Sequence, residues 1–312
     1  MAAAPAPGAR PGLGSFLVFL AAVGFSFKSI LIKLGYGYGV DATSLFALRQ
    51  LFSAPFFVVL ALWSRDQALP REALTRRDWL QLAGLGLLGY YVAAWLDFLG
   101  LRYISAGLER LILFLYPTIV LVLSAWWLGT RIRGREFGAL VLSYGGIALV
   151  FLGHAGAPGG GRDLALGSSL VFASAVAYSV YLIGSSQVVH RFGTVRFTAW
   201  AMLVATVVGV AQFLATHGLD SLRLPLPVYG LCAVMAIFST VLPALLMTEG
   251  LRRVGANQAA LVGTIGPVVT MLLAVMILDD TMDAAQVAGA GLVLAGVLLV
   301  SLRPARTAPV AD

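Results

Sequence analysis

Residues 101–150 read LRYISAGLERLILFLYPTIVLVLSAWWLGTRIRGREFGALVLSYGGIALV, and residues 251–300 read LRRVGANQAALVGTIGPVVTMLLAVMILDDTMDAAQVAGAGLVLAGVLLV. Shifted by 150 positions, the first overlays the second without a gap. Leu101-Arg102 falls on Leu251-Arg252, Ala106 on Ala256 and Leu111 on Leu261. Pro117 falls on Pro267, Leu128 on Leu278, Gly146 on Gly296 and Val150 on Val300. Apolar sequences resemble one another by chance, but matched prolines, glycines and a loop arginine are not what chance supplies. A self-similarity at fixed spacing is the signature of a repeated structural unit. The copy also extends upstream. At a shift of 153, Gly14-Ser15 lands on Gly167-Ser168, Leu17-Val18-Phe19 on Leu170-Val171-Phe172, and Ser26 on Ser179.

What repeats is apolar. Hydrophobic residues make up 60% of the 312-residue chain and charged residues 11%, far from the composition of a soluble domain. Ten runs are long enough to cross about 30 Å of hydrocarbon, which takes around 20 helical residues. They are Gly14–Leu34, Thr43–Trp63, Trp79–Leu101, Ser105–Gly129, Gly134–Leu152, Leu166–Val189, Thr194–Thr216, Pro227–Gly250, Ala256–Leu278 and Ala284–Leu302. Helices satisfy their own backbone hydrogen bonds in lipid, and unbroken apolar runs do not read as barrel strands, which alternate. The expected fold is therefore an all-α integral membrane protein of ten transmembrane helices. Each half, 14–152 and 166–302, holds five crossings, an odd number, so the second must insert upside down relative to the first. Inverted five-helix repeats are an architecture of secondary transporters, in which rocking of the halves exposes a central site to either side in turn. Residues 1–13, rich in Ala, Pro and Gly, are expected to be disordered; 153–165 form a linker around Ala155–Gly161, and 303–312 a tail. The first run is too long for a signal-peptide core and lacks a small-x-small cleavage site, so it is expected to stay as the first helix.

Charge sets the expected orientation. With the N-terminus in the cytoplasm, the inner segments carry Arg10, Arg65, Arg71, Arg76, Arg77, Arg131, Arg133, Arg135, Arg191, Arg196, Arg252, Arg253, Arg303 and Arg306. The outer side has Lys33, Arg102, Arg162 and Arg223. This 14 to 4 bias follows the positive-inside rule and puts both termini on the cytoplasmic side of the inner membrane. Trp63, Trp79, Trp126 and Trp127 fall at cytoplasmic helix ends, where an aromatic belt belongs. The net charge of +7 is thus topological. The charges sit in short gaps between apolar runs and form no basic stripe, so no nucleic-acid partner is expected. Cys232, the one cysteine, reads as a small buried residue, and no cofactor or metal is expected.

Gly24-x-Ser26 followed by Lys33, Leu48-Arg49, small-residue entries to the fourth and ninth helices with Pro117 and Pro267, and the Gly138 and Gly145-Gly146 spacing form an ordered set. Over about residues 14–302 this set resembles the EamA-type branch of the drug/metabolite transporter superfamily. The resemblance implies ten helices, cytoplasmic termini, a central cavity and transport of small metabolites, often outward. Family members often carry an acid after helices four and nine; here Asp279-Asp280 follows the ninth, but Gly129-Thr130 follows the fourth.

Ionisable residues inside a bilayer are costly and point to function. Lys28, Arg49, Asp97, Glu109 and Arg110 all belong to the first repeat and to the outer half of the membrane. Their second-repeat counterparts are Tyr181, Met202, Met247, Ala259 and Ala260, so the site is expected to be charged on one side and apolar or aromatic on the other. Adjacent on one helix, Glu109 and Arg110 face differently and each needs a partner elsewhere. Asp97 with Arg49 or Arg110, and Glu109 with Lys28, are the pairings open to them. Three cations against two acids leave +1, which suits a carboxylate or a zwitterion. The bland alternative is a salt-bridge net that closes the outer gate. Arg110 reads as structural. Tyr90, Tyr91, Trp95, Phe114, Tyr116, Tyr178 and Tyr181 are candidates to line a cavity for organic solutes. Pro117 and Pro267, the latter with Gly263 and Gly266, interrupt corresponding helices, a pointer to a binding site between repeats.

Rival classes find little support. The sequence has no His-Glu-x-x-His, Gly-x-Ser-x-Gly or P-loop, so neither a membrane enzyme nor a self-contained ATP-driven pump is indicated. A receptor or scaffold leaves the inverted repeat unexplained. A multidrug efflux pump for lipophilic cations is the nearer rival, and should prefer a lone buried acid. The expected function is a carrier of a small polar metabolite, an amino acid or other carboxylate, with the bilayer and that small molecule as its partners.

Overall fold

The computed structural model describes residues 11–66, 74–128, 132, 134–154 and 160–301. The N-terminal stretch 1–10, the centre of the linker (155–159), the tail 302–312, and Arg71, Arg131, Arg133, Gly129 and Thr130 lie outside the described residues. The protein is a multi-pass, all-helical membrane protein. Nine helical stretches among the described residues are long and apolar enough to cross a bilayer, and a shorter apolar helix completes the set.

The helices are α1 (Pro11–Gly37), α2 (Ala42–Asp66), α3 (Arg76–Gly100), α4 (Ala106–Leu113 and Tyr116–Leu128), α5 (Gly134–His154), α6 (Gly160–Phe192), α7 (Thr194–Thr216), α8 (Leu226–Gly250), α9 (Leu261–Leu278) and α10 (Ala284–Ser301). Several boundaries differ from the sequence expectation. Helix α1 starts at Pro11, so residues 11–13, expected to be disordered, are helical, and α5 runs to His154, into the expected linker. Helix α6 starts at Gly160 rather than Leu166, taking up residues assigned to the linker. Between α8 and α9 the backbone stays helical from Leu242 to Gly263, where a loop was expected after Gly250. No proline falls in residues 251–260 and no glycine there has positive φ, so nothing forces the helical ladder to stop.

The packing shows the repeat atom by atom. Helix α1 packs along α8 and α9 as α6 packs along α3 and α4, while α2 pairs with α7 and α5 with α10. A Cβ on Gly100 (α3) would stand 2.4 Å from Val171 and 2.9 Å from the Gly167 carbonyl on α6. Its counterpart Gly250 (α8) meets Val18 at 2.6 Å and the Gly14 carbonyl at 3.0 Å on α1. Ser26 donates to the carbonyls of Ala22 and Gly266, and Ser179 to those of Ala175 and Tyr116, the same four positions after the 153- and 150-residue shifts. In the α5–α10 pair, Gly146 meets the Gly289 carbonyl at 2.6 Å and Gly296 meets the Ala139 carbonyl at 2.7 Å. Small residues let helices approach this closely without a hydrophobic drive between them.

Irregularities repeat as well. One π-helical stretch, Leu87–Val92, lies in α3, and its counterpart, Ile237–Val241, in α8. Helix α4 breaks after Leu113, at Phe114-Leu115, and the helix ahead of Ile265 ends at Gly263. Both breaks follow from proline. Pro117 and Pro267 lack the N–H that would have bonded the carbonyl four residues back, which belongs to Leu113 in one case and Gly263 in the other.

The tryptophans divide. Trp63, Trp126 and Trp127 are exposed, as belt residues should be. Trp79 instead packs inward, its ring 5.3 Å from Phe192 and 5.4 Å from Trp200. Beside it the Arg191 guanidinium pairs with Asp78, which closes a capping box with Thr75 at the start of α3. These contacts join α3 to α6 and α7 at one end of the seam between the halves.

Candidate functional site

The charged residues of the first half converge. Lys28 on α1 donates to Asp97 Oδ2 on α3 at 2.6 Å and stands 3.7 Å from Glu109 Oε1 on α4. Ser29 donates to the other Glu109 oxygen at 2.6 Å. One lysine therefore serves two acids. Both carboxylates are buried, and a buried carboxylate without such partners is strongly unfavourable. Of the pairings left open by the sequence, Glu109 with Lys28 occurs as an ion pair; Asp97 takes Lys28 rather than Arg49 or Arg110 as its contact.

Arg49 on α2 is also buried, and its environment differs. Its guanidinium carbon lies 5.4 Å from the Phe46 ring centre and 5.2 Å from that of Phe98, where ring faces attract a cation. It donates to Gln50 Oε1 at 3.2 Å and, at 3.4 Å, to Thr240 Oγ1 on α8. Asp97 lies within electrostatic reach but does not touch it. Arg110 lies between Glu109 and the tyrosines and approaches the break in α9. Its Nη2 is 3.1 Å from where a Cβ on Gly266 would stand, so an alanine there would crowd the guanidinium. The two acids also touch each other, Asp97 through a side-chain hydrogen bond with Glu109, and Arg110 lies within electrostatic reach of Glu109.

The aromatic candidates gather beside this chain of charges. Tyr181 on α6 donates to the Tyr90 hydroxyl on α3 at 3.0 Å. Tyr178 packs edge-on to Tyr116 at 5.6 Å and tilted against Tyr181 at 5.7 Å. Gly89 makes the close approach possible, since a Cβ there would lie 2.3 Å from the Tyr181 ring. Trp95 stacks on Tyr91 at 6.5 Å, on the Phe46 side of the cluster. Pro117, Gly263, Gly266 and Pro267 sit at the two helix breaks.

Three polar neighbours escaped sequence reasoning: Ser29, Gln50 and Thr240. Ser29 and Gln50 are flanking residues of Lys28 and Arg49, and single hydroxyls and amides in apolar helices carry little signal. Thr240 had one: at the 150-residue shift it is the counterpart of Tyr90, and both lie in the matched π-helical stretches. Such turns recur at functional sites because they re-aim side chains.

Known proteins agree with this architecture. The model of the EamA-like transporter family matches residues 12–152 and again 165–302. The chain is 30% identical over 290 residues to the uncharacterized transporter YcbK of Bacillus subtilis (strain 168), covering 89% of each chain. It is 25% identical over 267 residues to the uncharacterized inner membrane transporter YicL of Salmonella typhimurium (strain LT2), covering 84% of this chain and 85% of that one. One solved crystal structure superposes with a TM-score of 0.60 at 20% identity, over 93% of this chain and 98% of the other, a likeness of fold.

Proposed function

The chain belongs to the EamA-like transporter family and is a multi-pass membrane transporter, and we propose that it carries a small polar metabolite bearing a carboxylate by alternating access of its two inverted halves. The observation that carries this reading is Arg49. It is a buried cation on two aromatic rings with, among the described residues, no acid in contact, and a buried charge without a counter-charge is costly, which favours one that arrives with the solute. A solute carboxylate would do so, and Thr240 adds a hydroxyl from the opposite half. Loop arginines support cytoplasmic termini, and the printed name of the Salmonella relative supports an inner-membrane location. Outward transport is the direction the family resemblance implies.

A second reading, efflux of lipophilic cations, draws on the two buried acids and the four-tyrosine cluster. Thermal unfolding of the detergent-purified protein against a metabolite panel separates the two. A ligand of the folded state raises the melting temperature by mass action. Carboxylates are expected to stabilise the wild type and to lose that effect in Arg49→Ala and Lys28→Ala. Stabilisation by lipophilic cations alone, unchanged in both variants, would sink the carboxylate reading.

A further inference from the structure

Away from the charged cluster, a groove opens sideways between α1, α9 and α10. It encloses about 390 Å³, and its walls include Phe19, Thr264, Ile265, Val268, Leu294 and Leu298. The Thr264 hydroxyl donates to the Leu261 carbonyl at 2.6 Å, so these side chains offer a polar solute nothing. Apolar cavities stay dry, and the medium around these helices is hydrocarbon. The corresponding face of the first half is covered. At the 150-residue shift Thr264 corresponds to Phe114 and Leu294 to Tyr144, both larger, while Leu298 against Ala148 runs the other way. Tyr144 hydrogen-bonds Thr118, and Leu111, Leu115 and Thr118 are buried. Val268, the counterpart of Thr118, is 37% exposed.

The rims of the two faces differ as well. On the groove's side of the membrane, the sequence flanking α1, α9 and α10 carries Arg10, Arg252, Arg253, Arg303 and Arg306 against Glu249. At the shifts of 153 and 150 these arginines correspond to Asp163, Arg102, Tyr103, Gly153 and Gly156. The open groove thus lies below the basic rim, and the covered face does not. Arg253 packs against the start of α1, its Cβ 2.8 Å from where a Cβ on Gly14 would stand. Thr264 follows eleven residues later, about three turns and 16 Å along the helix. That is about half the hydrocarbon thickness, the depth one acyl chain spans. We propose that the groove binds one acyl chain of an anionic phospholipid, with the phosphate at the arginine rim. Basic residues at the ends of membrane helices attract anionic headgroups. The chain lies against Thr264 and Ile265, at the break in α9. A zwitterionic phospholipid would fill the groove equally well but gain less at the rim.

The test is native mass spectrometry of the detergent-purified protein, titrated with phosphatidylglycerol or with phosphatidylcholine of the same acyl chains. Wild type should bind one phosphatidylglycerol at least about fivefold more tightly than phosphatidylcholine, the effect of roughly one well-placed arginine. Thr264→Phe/Leu294→Tyr gives the groove the side chains of the first half and should abolish that binding. Thr264→Phe alone serves if the double variant does not fold. Val207→Phe, at a position 69% exposed on α7, adds a ring away from the groove and should leave the binding unchanged. Equal affinity of wild type for the two lipids, or phosphatidylglycerol binding that survives in the filled variants, would overturn the proposal. So would a wild type that retains no lipid and is a dimer which the filled variants split, since a second copy would then occupy the groove.

Discussion

Gly100→Ala measures how tightly the two halves are keyed together. The added methyl would lie 2.4 Å from Val171 Cγ2, 2.9 Å from the Gly167 carbonyl oxygen and 3.3 Å from the Val171 nitrogen. Carbon–carbon contacts are optimal at about 3.5–4.0 Å, so the nearest neighbour must retreat by about an ångström. Valine has a stiff χ1, and the next obstacle is backbone. Relief therefore requires α3 and α6 to separate, and the cost belongs at the upper end of overpacking, about 3 kcal/mol. Alanine regains about 1 kcal/mol of helix propensity over glycine, which leaves a net loss of about 2 kcal/mol. Gly145 is the control, because a Cβ there meets nothing within 4 Å; Gly145→Ala should gain up to about 1 kcal/mol. Gly250→Ala, the pseudo-symmetric counterpart, should lose about as much as Gly100→Ala, with its contacts at 2.6, 3.0 and 3.1 Å. The double variant Gly100→Ala/Val171→Ala should recover part of the loss and no more, since the carbonyl contact remains. Equilibrium unfolding in mixed micelles with increasing SDS reads all four. If Gly100→Ala unfolds together with Gly145→Ala, or Gly250→Ala behaves unlike Gly100→Ala, the close symmetric packing is wrong.

Three further outcomes are expected. Pro117→Ala and Pro267→Ala restore a donor toward the Leu113 and Gly263 carbonyls and should each stabilise by about one hydrogen bond, about 1 kcal/mol, while slowing transport in proteoliposomes; unchanged transport would deny the breaks a role in the cycle. Asp78→Asn weakens the Arg191 pair at one end of the seam, so a cysteine placed at buried Leu82 should react faster with an impermeant maleimide than in the parent carrying Asp78; equal rates would mean the pair does not hold that end shut. Asp280, beyond the end of α9, has its carboxyl pushed above the usual range by burial, against the opposing pull of Lys33. A raised folded-state pKa means the folded protein binds the proton more tightly, so stability falls as pH rises through that value. Asp280→Asn should therefore melt higher than wild type at neutral pH, and the gap should close as the pH drops below the ordinary carboxylate range; a gap that widens in acid would reverse the argument.

Much of the candidate site was legible because charge stands out against an apolar background. Lys28, Arg49, Asp97 and Glu109 could be named from their positions in runs that carry at most one other charge, and the structure brings them into one cluster. Their pairing was not legible. Asp97 meets Lys28, whereas the sequence left Arg49 and Arg110 as its partners, since three helices must be rotated and set at a given depth before any side chain finds another. Trp79 shows the same limit. Its place at a helix end suggests the membrane interface, but the rotation of α3 turns it into the seam against Phe192 and Trp200. Ser29, Gln50 and Thr240 were passed over because a neutral polar group in a membrane helix can satisfy itself locally, and only a neighbour's position reveals its use.

The sequence by itself determined that the chain is helical, that it crosses the membrane repeatedly, and that its halves are inverted copies. Apolar length and backbone satisfaction are properties of contiguous residues, and an odd number of crossings per copy leaves no choice of relative orientation. The sequence also placed the helix breaks, because proline removes its donor wherever the chain goes. Only the tertiary structure decided which charges share a partner and which guanidinium, among the described residues, is left without an acid in contact. Those depend on the rotation, depth and crossing of helices far apart in sequence, quantities to which each residue contributes a little and no short stretch contributes enough.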